Sequence, residues 1–253
     1  MEKPSIEILR RFAVAVVLCG ATSTTVAATV HDPAAEFSLA DNPNGPWQYG
    51  YSTTLHGPLT PFVDTLAFGG IDFVLRNLAN TNTPHIGRNF GTADVTFFST
   101  TFRPGELVLH PGPGGEFAVL RFDVPAAGTW QLDALFDMRS FGGTHSTDVH
   151  VALNGNPLFD DLVTTFDDQA AFNVALALAP GDHLDFAVGA NGSYLGDTTA
   201  LIASLALQPV PLPAPLGLLA GAVLMLRVRG RRKHPRHQCT PGRAVGHCVA
   251  HDC

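Results

Sequence analysis

Trp47, Tyr49 and Tyr51 occupy alternate positions in Pro46-Trp47-Gln48-Tyr49-Gly50-Tyr51, with Asn42 and Asn44 just upstream. Those residue types suit a sugar. The C–H faces of a pyranose stack on aromatic rings, while its hydroxyls need amides or carboxylates within reach. Trp47, Tyr49, Tyr51 and Asn44 are therefore the candidate glycan-binding residues. The same alternation is also what a strand shows when one face points into a core, and that plainer reading is the favoured one.

Other polar groups carry chemistry on paper. Glu106 and Glu116 flank a Pro-Gly-rich turn, and a glycosidase needs two carboxylates about 5–10 Å apart. No further acid pair accompanies them. The sequence also lacks Gly-x-Ser-x-Gly, His-Glu-x-x-His and a phosphate-cradling glycine loop. Asp133, Asp137, Asp148, His150, His183 and Asp185 fall on the polar phase of alternating runs. On adjoining strands they would form an acidic face able to bind Ca²⁺ or polyol hydroxyls; a solvated outer face gives the same pattern and is preferred. His110, between Glu106–Leu109 and the rigid Pro111-Gly112-Pro113, is expected to hydrogen-bond backbone groups and lock that turn. His234, His237, Cys239, His247, Cys248, His251 and Cys253 are zinc-ligand types without finger spacing, so no metal is assigned. No cofactor is assigned either, Ca²⁺ being the ion that an acidic face would suit.

The elements that must position these groups read as strands. Trp130, Leu132, Ala134, Phe136 and Met138 alternate with mostly polar neighbours, as do Val149, Val151 and Leu153. Phe172–Leu178, Leu184–Val188 and Leu201–Leu207 repeat the pattern. Turn chemistry separates the runs at Pro125–Gly128, Asn154-Gly155 and Ala179–Asp182. The nearest approach to a helix, Asp64–Leu78, is interrupted by Gly69-Gly70. The fold class expected is all-β, a jelly-roll-like β-sandwich of roughly 8–10 antiparallel strands. The N-terminal third reads as one edge strand plus long loops.

Charge and the chain ends set the context. Between Thr29 and Gln208 lie five arginines, no lysine and nineteen carboxylates, a formal charge of −14 against −7 for the whole chain. Such a surface repels phosphate backbones and excludes nucleic acid as a partner. All four cysteines fall outside this stretch, so its stability rests on apolar burial. Arg10 and Arg11, the apolar Phe12–Leu18 and the small residues Val26-Ala27-Ala28 follow the order of a secretory signal peptide. At the other end, Val210-Pro211-Leu212-Pro213-Ala214-Pro215 precedes the uncharged Leu216–Leu226 and the cluster Arg227, Arg229, Arg231, Arg232, Lys233. That span is short of the roughly 20 apolar residues of a permanent membrane helix, and its basic flank marks a cytoplasmic side.

The tail resembles the PEP-CTERM sorting signal in its Val-Pro-Leu-Pro-Ala variant, with Leu212 where a Glu often stands. The resemblance implies that Val210, Pro211, Leu212, Pro213 and Ala214, with Arg231 and Arg232 behind them, are read by an exosortase-type transpeptidase of exopolysaccharide-making Gram-negative bacteria. Unlike most such tails, this one continues through His234–Cys253. A second resemblance is carried by Phe37-Ser38, Asn42–Gly50, Leu109–Pro113, Glu116–Phe122 and Asp148–Gly155. Those segments are similar to bacterial extracellular jelly-roll modules akin to carbohydrate-binding modules. The expected organisation is a signal peptide over 1–28, a sandwich over 29–208, a sorting signal over 209–233 and a low-complexity tail over 234–253. The expected role is an exported, non-enzymatic surface or matrix protein that binds exopolysaccharide or another glycan and contacts the inner membrane transiently. A secreted polysaccharide-active enzyme using Glu106 and Glu116, and a structural adhesin without glycan affinity, are the alternatives.

Overall fold

The computed structural model describes residues 28–77, 81–143 and 145–209. The signal peptide and the sorting residues Val210, Pro211, Leu212, Pro213, Ala214, Arg231 and Arg232 lie outside the described residues, as does the His/Cys-rich tail. The described residues form one compact unit.

Along the chain the strands are β1 (Val30–His31), β2 (Trp47–Ser52), β3 (Thr60–Pro61), β4 (Asp64–Phe68), β5 (Ile71–Asn77), β6 (Thr81–Asn89), β7 (Val95–Phe97) and β8 (Thr100–Phe102). They continue as β9 (Leu107–His110), β10 (Phe117–Asp123), β11 (Gly128–Met138), β12 (Thr147–Leu153), β13 (Asn156–Val163), β14 (Gln169–Leu178), β15 (His183–Gly189) and β16 (Thr199–Leu207). Among the described residues every strand pair is antiparallel. The last eight make the jelly roll. One sheet runs β14-β11-β16-β9 and the other β13-β12-β15-β10, with the chain crossing between them. β6-β5-β4 extends the first sheet beyond β9, and β2-β3 extends the second beyond β10.

Alternation explains why these segments pair as they do. On β11, Trp130, Leu132, Phe136 and Met138 are buried, and on β15 so are Leu184, Phe186 and Val188. These side chains meet between the sheets, where a one-residue slip would turn the apolar set to water. Asn154 and Gly155 take φ of 51° and 77° between β12 and β13, the backbone a two-residue hairpin of matching twist requires. The jelly roll is the fold expected from the sequence.

Two expectations are corrected. The strands number sixteen among the described residues rather than eight to ten. The N-terminal third is not an edge strand with loops: β2 lies inside its sheet, and Asp64–Asn77 is a hairpin turning on Gly69-Gly70, with φ of 63° and 87°. The paired glycines that forbid a helix there are what a tight hairpin needs.

Candidate ligand pocket

The outer face of the first sheet carries a second, smaller core. Ile71, Phe73 and Leu75 of β5 pack there with Val108, Ala200 and Phe102. The β7–β8 hairpin covers this face, adding Val95 and Phe97. Beside it opens a pocket of about 890 Å³. Six of the chain's 17 phenylalanines line it, together with Leu66 and Leu195, so its walls are built mainly of rings and aliphatic side chains.

Strand register lays its floor. Phe73 pairs with Gly87, and His85 pairs with His110. A Cβ on Gly87 would come within 2.4 Å of the Phe73 ring; only glycine lets that ring lie flat across the neighbouring strand. A row of rings results. Phe102 meets Phe73 at 6.0 Å, Phe73 meets His85 at 4.8 Å, His85 meets His110 at 5.1 Å and His110 meets Tyr194 at 6.1 Å. The rim is exposed: Phe68 at 51%, Phe98 at 86%, Phe141 at 38% and Leu195 at 66%.

The two floor histidines present acceptors. Each Nδ1 faces a backbone carbonyl, Asn82 O at 2.5 Å for His85 and Pro111 O at 2.7 Å for His110. A carbonyl accepts only, so each Nδ1 carries the proton and each Nε2 keeps a bare lone pair. Burial holds both rings neutral, pushing His85 down to about 3, helped by its neighbour His110, and His110 to about 4. His85 Nε2 is buried without a protein partner, as are both ring nitrogens of His145 in the opposite wall. Behind that wall, the Asp197 carboxyl is fully buried. No donor reaches it in good geometry; burial pushes it up to about 7, partly offset by the Ser146 amide and the Thr147 hydroxyl. Thr100, Thr198, Ser99 and Asn82 add hydroxyls and an amide to the lining.

The residues singled out in the sequence lie elsewhere. Trp47 and Tyr49 have no exposed surface and sit in the main core. The Trp47 indole donates to Glu36 Oε2 at 2.7 Å, and the Tyr49 hydroxyl accepts from Ser38 N at 3.2 Å, with burial raising its pKa to about 12. A ring with no free face cannot stack on a sugar, so the stacking role expected of Trp47 and Tyr49 is corrected to a core role. Tyr51 is half-buried beneath the Arg76 guanidinium, 4.9 Å away, and the Asn44 amide is spent on Glu36 O at 2.6 Å. His110 makes the backbone bond expected of it and also faces the pocket.

The acidic residues share no single face: Asp133 is exposed, whereas Asp137, His150 and Asp185 are buried. Asp133 and Asp137 lie on β11 in one sheet, while Asp148, His150, His183 and Asp185 lie in the other. Asp185 takes both ends of Arg121 at 2.7 and 2.9 Å. His150 bridges Asp148 at 2.8 Å and Asp160 at 2.6 Å. Burial opposes its charge, yet the two carboxylates win and raise its pKa. Arg139, 1% exposed, holds Glu106 bidentately at 2.8 and 2.5 Å and also reaches Asp137 and Asp167. Glu116 binds Arg76 and accepts from Gly114 N at 2.9 Å. Glu106 and Glu116 thus sit at opposite ends of β9, each saturated by an arginine.

The pocket escaped sequence reasoning because its lining comes from β4, β5, β6, β7, β8, β9 and three loops, none of which is distinctive alone. One signal was present: Phe97-Phe98-Ser99 between two short alternating runs, where a turn residue was due.

No protein-family model matches the chain, and no curated protein matches it in sequence. Among solved structures, a CBM51 module from Clostridium perfringens GH95, in complex with methyl-galactose, aligns with a TM-score of 0.31 and 18% identity, over 40% of this chain and 68% of that one. A variant of the family 29 carbohydrate-binding module CBM29-2 aligns with a TM-score of 0.32 and 10% identity, over 78% and 99% of the two chains. A family 35 module from Clostridium thermocellum gives 0.27 and 13%, over 53% and 87%. The chain spans about a fifth of the length of two longer Clostridium perfringens ZmpB chains that contain CBM51 modules. At these scores no ligand or activity transfers to this chain.

Proposed function

We propose that this protein is an exported, non-catalytic glycan-binding domain whose sugar site is the pocket on the outer face of the first sheet. One observation carries the reading: aromatic walls enclose neutral imidazoles, and the Nε2 lone pair of His85 is buried without a protein partner among the described residues. A sugar offers the matching surfaces, C–H faces for the rings and hydroxyl donors for the acceptors. The acid pair that a glycosidase would use supports the non-catalytic part, since Glu106 and Glu116 are each held by an arginine and burial is outweighed at Glu116 by its hydrogen bonds, which lower its pKa. A general acid needs the opposite shift.

Export and handover to an exosortase-type sorting enzyme are part of the proposal and rest on the sequence pattern at the two ends. Released into an exopolysaccharide layer, many weakly binding copies would act together, and display density would set the avidity.

A glycan array probed with the purified protein and with Phe98→Ala tests the site. Wild type is expected to retain a subset of glycans and Phe98→Ala to lose them; silence from the wild type across bacterial exopolysaccharides would favour the structural-adhesin alternative. Incubating positive glycans with wild type and Glu116→Gln separates binding from turnover. Cleavage by wild type that disappears in the variant would establish the enzyme instead.

A further inference from the structure

A pocket of this kind discriminates among sugars by what their edges carry. All five arginines of the sandwich are engaged away from it. Arg76, Arg103, Arg121 and Arg139 pair with carboxylates, and Arg88 lies over the Phe90 ring at 4.2 Å. No lysine occurs between Thr29 and Gln208, and among the described residues no Arg, Asp or Glu lines the pocket. An anionic ligand would therefore enter without a counter-charge, into a domain of formal charge −14.

The apolar share of the wall adds a second filter. Eight of the eighteen lining residues are Phe or Leu, so much of the wall offers a ligand's hydroxyls no partner. A hydroxyl pressed to that wall loses its water without replacement. A methyl group there loses nothing and gains contact.

We infer that the pocket selects neutral sugars bearing an apolar edge, 6-deoxyhexoses above the parent hexoses, and rejects uronic acids. This rests on the proposed glycan site and names its ligand class.

The test is an array of two C6 series, displayed densely and probed with the full exported protein at about pH 8, where His85 and His110 are uncharged. One series is methyl-linked L-fucose, L-galactose and L-galacturonate; the other is L-rhamnose, L-mannose and L-mannuronate. Within a binding series the 6-deoxy member is expected to be retained about fivefold or more above its hydroxymethyl parent, with the uronate absent. Equal retention of the three members, or a uronate at the top, overturns the inference and leaves the glycan site standing. No retention in either series overturns the inference, and silence across the exopolysaccharide array as well overturns the glycan site. Phe98→Ala, a change at a surface tip verified by unchanged circular dichroism, is expected to lower retention and shrink the 6-deoxy preference. Unaltered binding by that variant would place the site elsewhere and sink the inference.

Discussion

Phe98 is held in a backbone conformation that its own side chain disfavours. It and Ser99 have φ of 49° and 59° at the tip of the β7–β8 hairpin, where Asn-Gly is the low-strain choice. A bulky residue in the left-handed region costs roughly 1–2 kcal/mol. The sandwich gains little from the ring, which is 86% exposed at the pocket rim. Phe98→Asn is therefore expected to raise unfolding free energy by up to about 1 kcal/mol while weakening glycan retention. Urea unfolding and the array read the two effects, and a variant that is less stable yet binds normally would contradict the assignment. Arg139 makes the opposite case. Its guanidinium bonds to three carboxylates from a buried position, so Arg139→Met should cost about 3–5 kcal/mol, with the midpoint of urea unfolding as the readout.

At the scale of elements, what was legible in the sequence was whatever a single strand announces. Trp130–Met138 shows its buried face by alternation, and Asn154-Gly155 shows its turn by residue type. The strands of the jelly roll follow from such signals. β4 and β5 did not declare themselves because β5 is buried on both faces, Val74 in the main core and Ile71, Phe73 and Leu75 in the second, which erases alternation. β2 misled for a related reason. A Trp-x-Tyr-x-Tyr stripe looks alike whether it meets a sugar or a facing sheet, and the deciding fact is strand order: β2 lies beside β10, whose Ala118, Leu120 and Phe122 share its buried face. The pocket was hidden most deeply. His85 and His110 stand twenty-five residues apart in the sequence and become cross-strand neighbours only through the β6–β9 register.

For the molecule as a whole, ionisable groups of both signs are buried, Arg139 and His150 together with Asp137, Asp185 and Asp197. The consequence is a pH response of mixed sign. His85 and His110 are neutral in the fold and regain ordinary basicity on unfolding. Their contribution is complete above about pH 6.5 and is lost as pH falls toward about 4 and about 3, at up to about 1.4 kcal/mol per unit for each. His150, with a raised folded pKa, contributes fully below about pH 6.5 and loses that contribution as pH rises through its folded value. Unfolding free energies measured across pH should therefore fall on the acid side less steeply in His85→Phe, and fall less on the alkaline side in His150→Gln; slopes unaffected by these changes would contradict the assignments. Glycan binding in the pocket is tested most directly by nitrogen NMR of the ring nitrogens of His85 and His110 while methyl α-L-fucoside is added. Both rings are expected to show the Nδ1–H neutral tautomer, with the Nε2 signals moving to saturation as sugar hydroxyls bond to them. Protonated Nε2 in the free protein, or Nε2 signals that stay fixed while the sugar binds, would contradict the account.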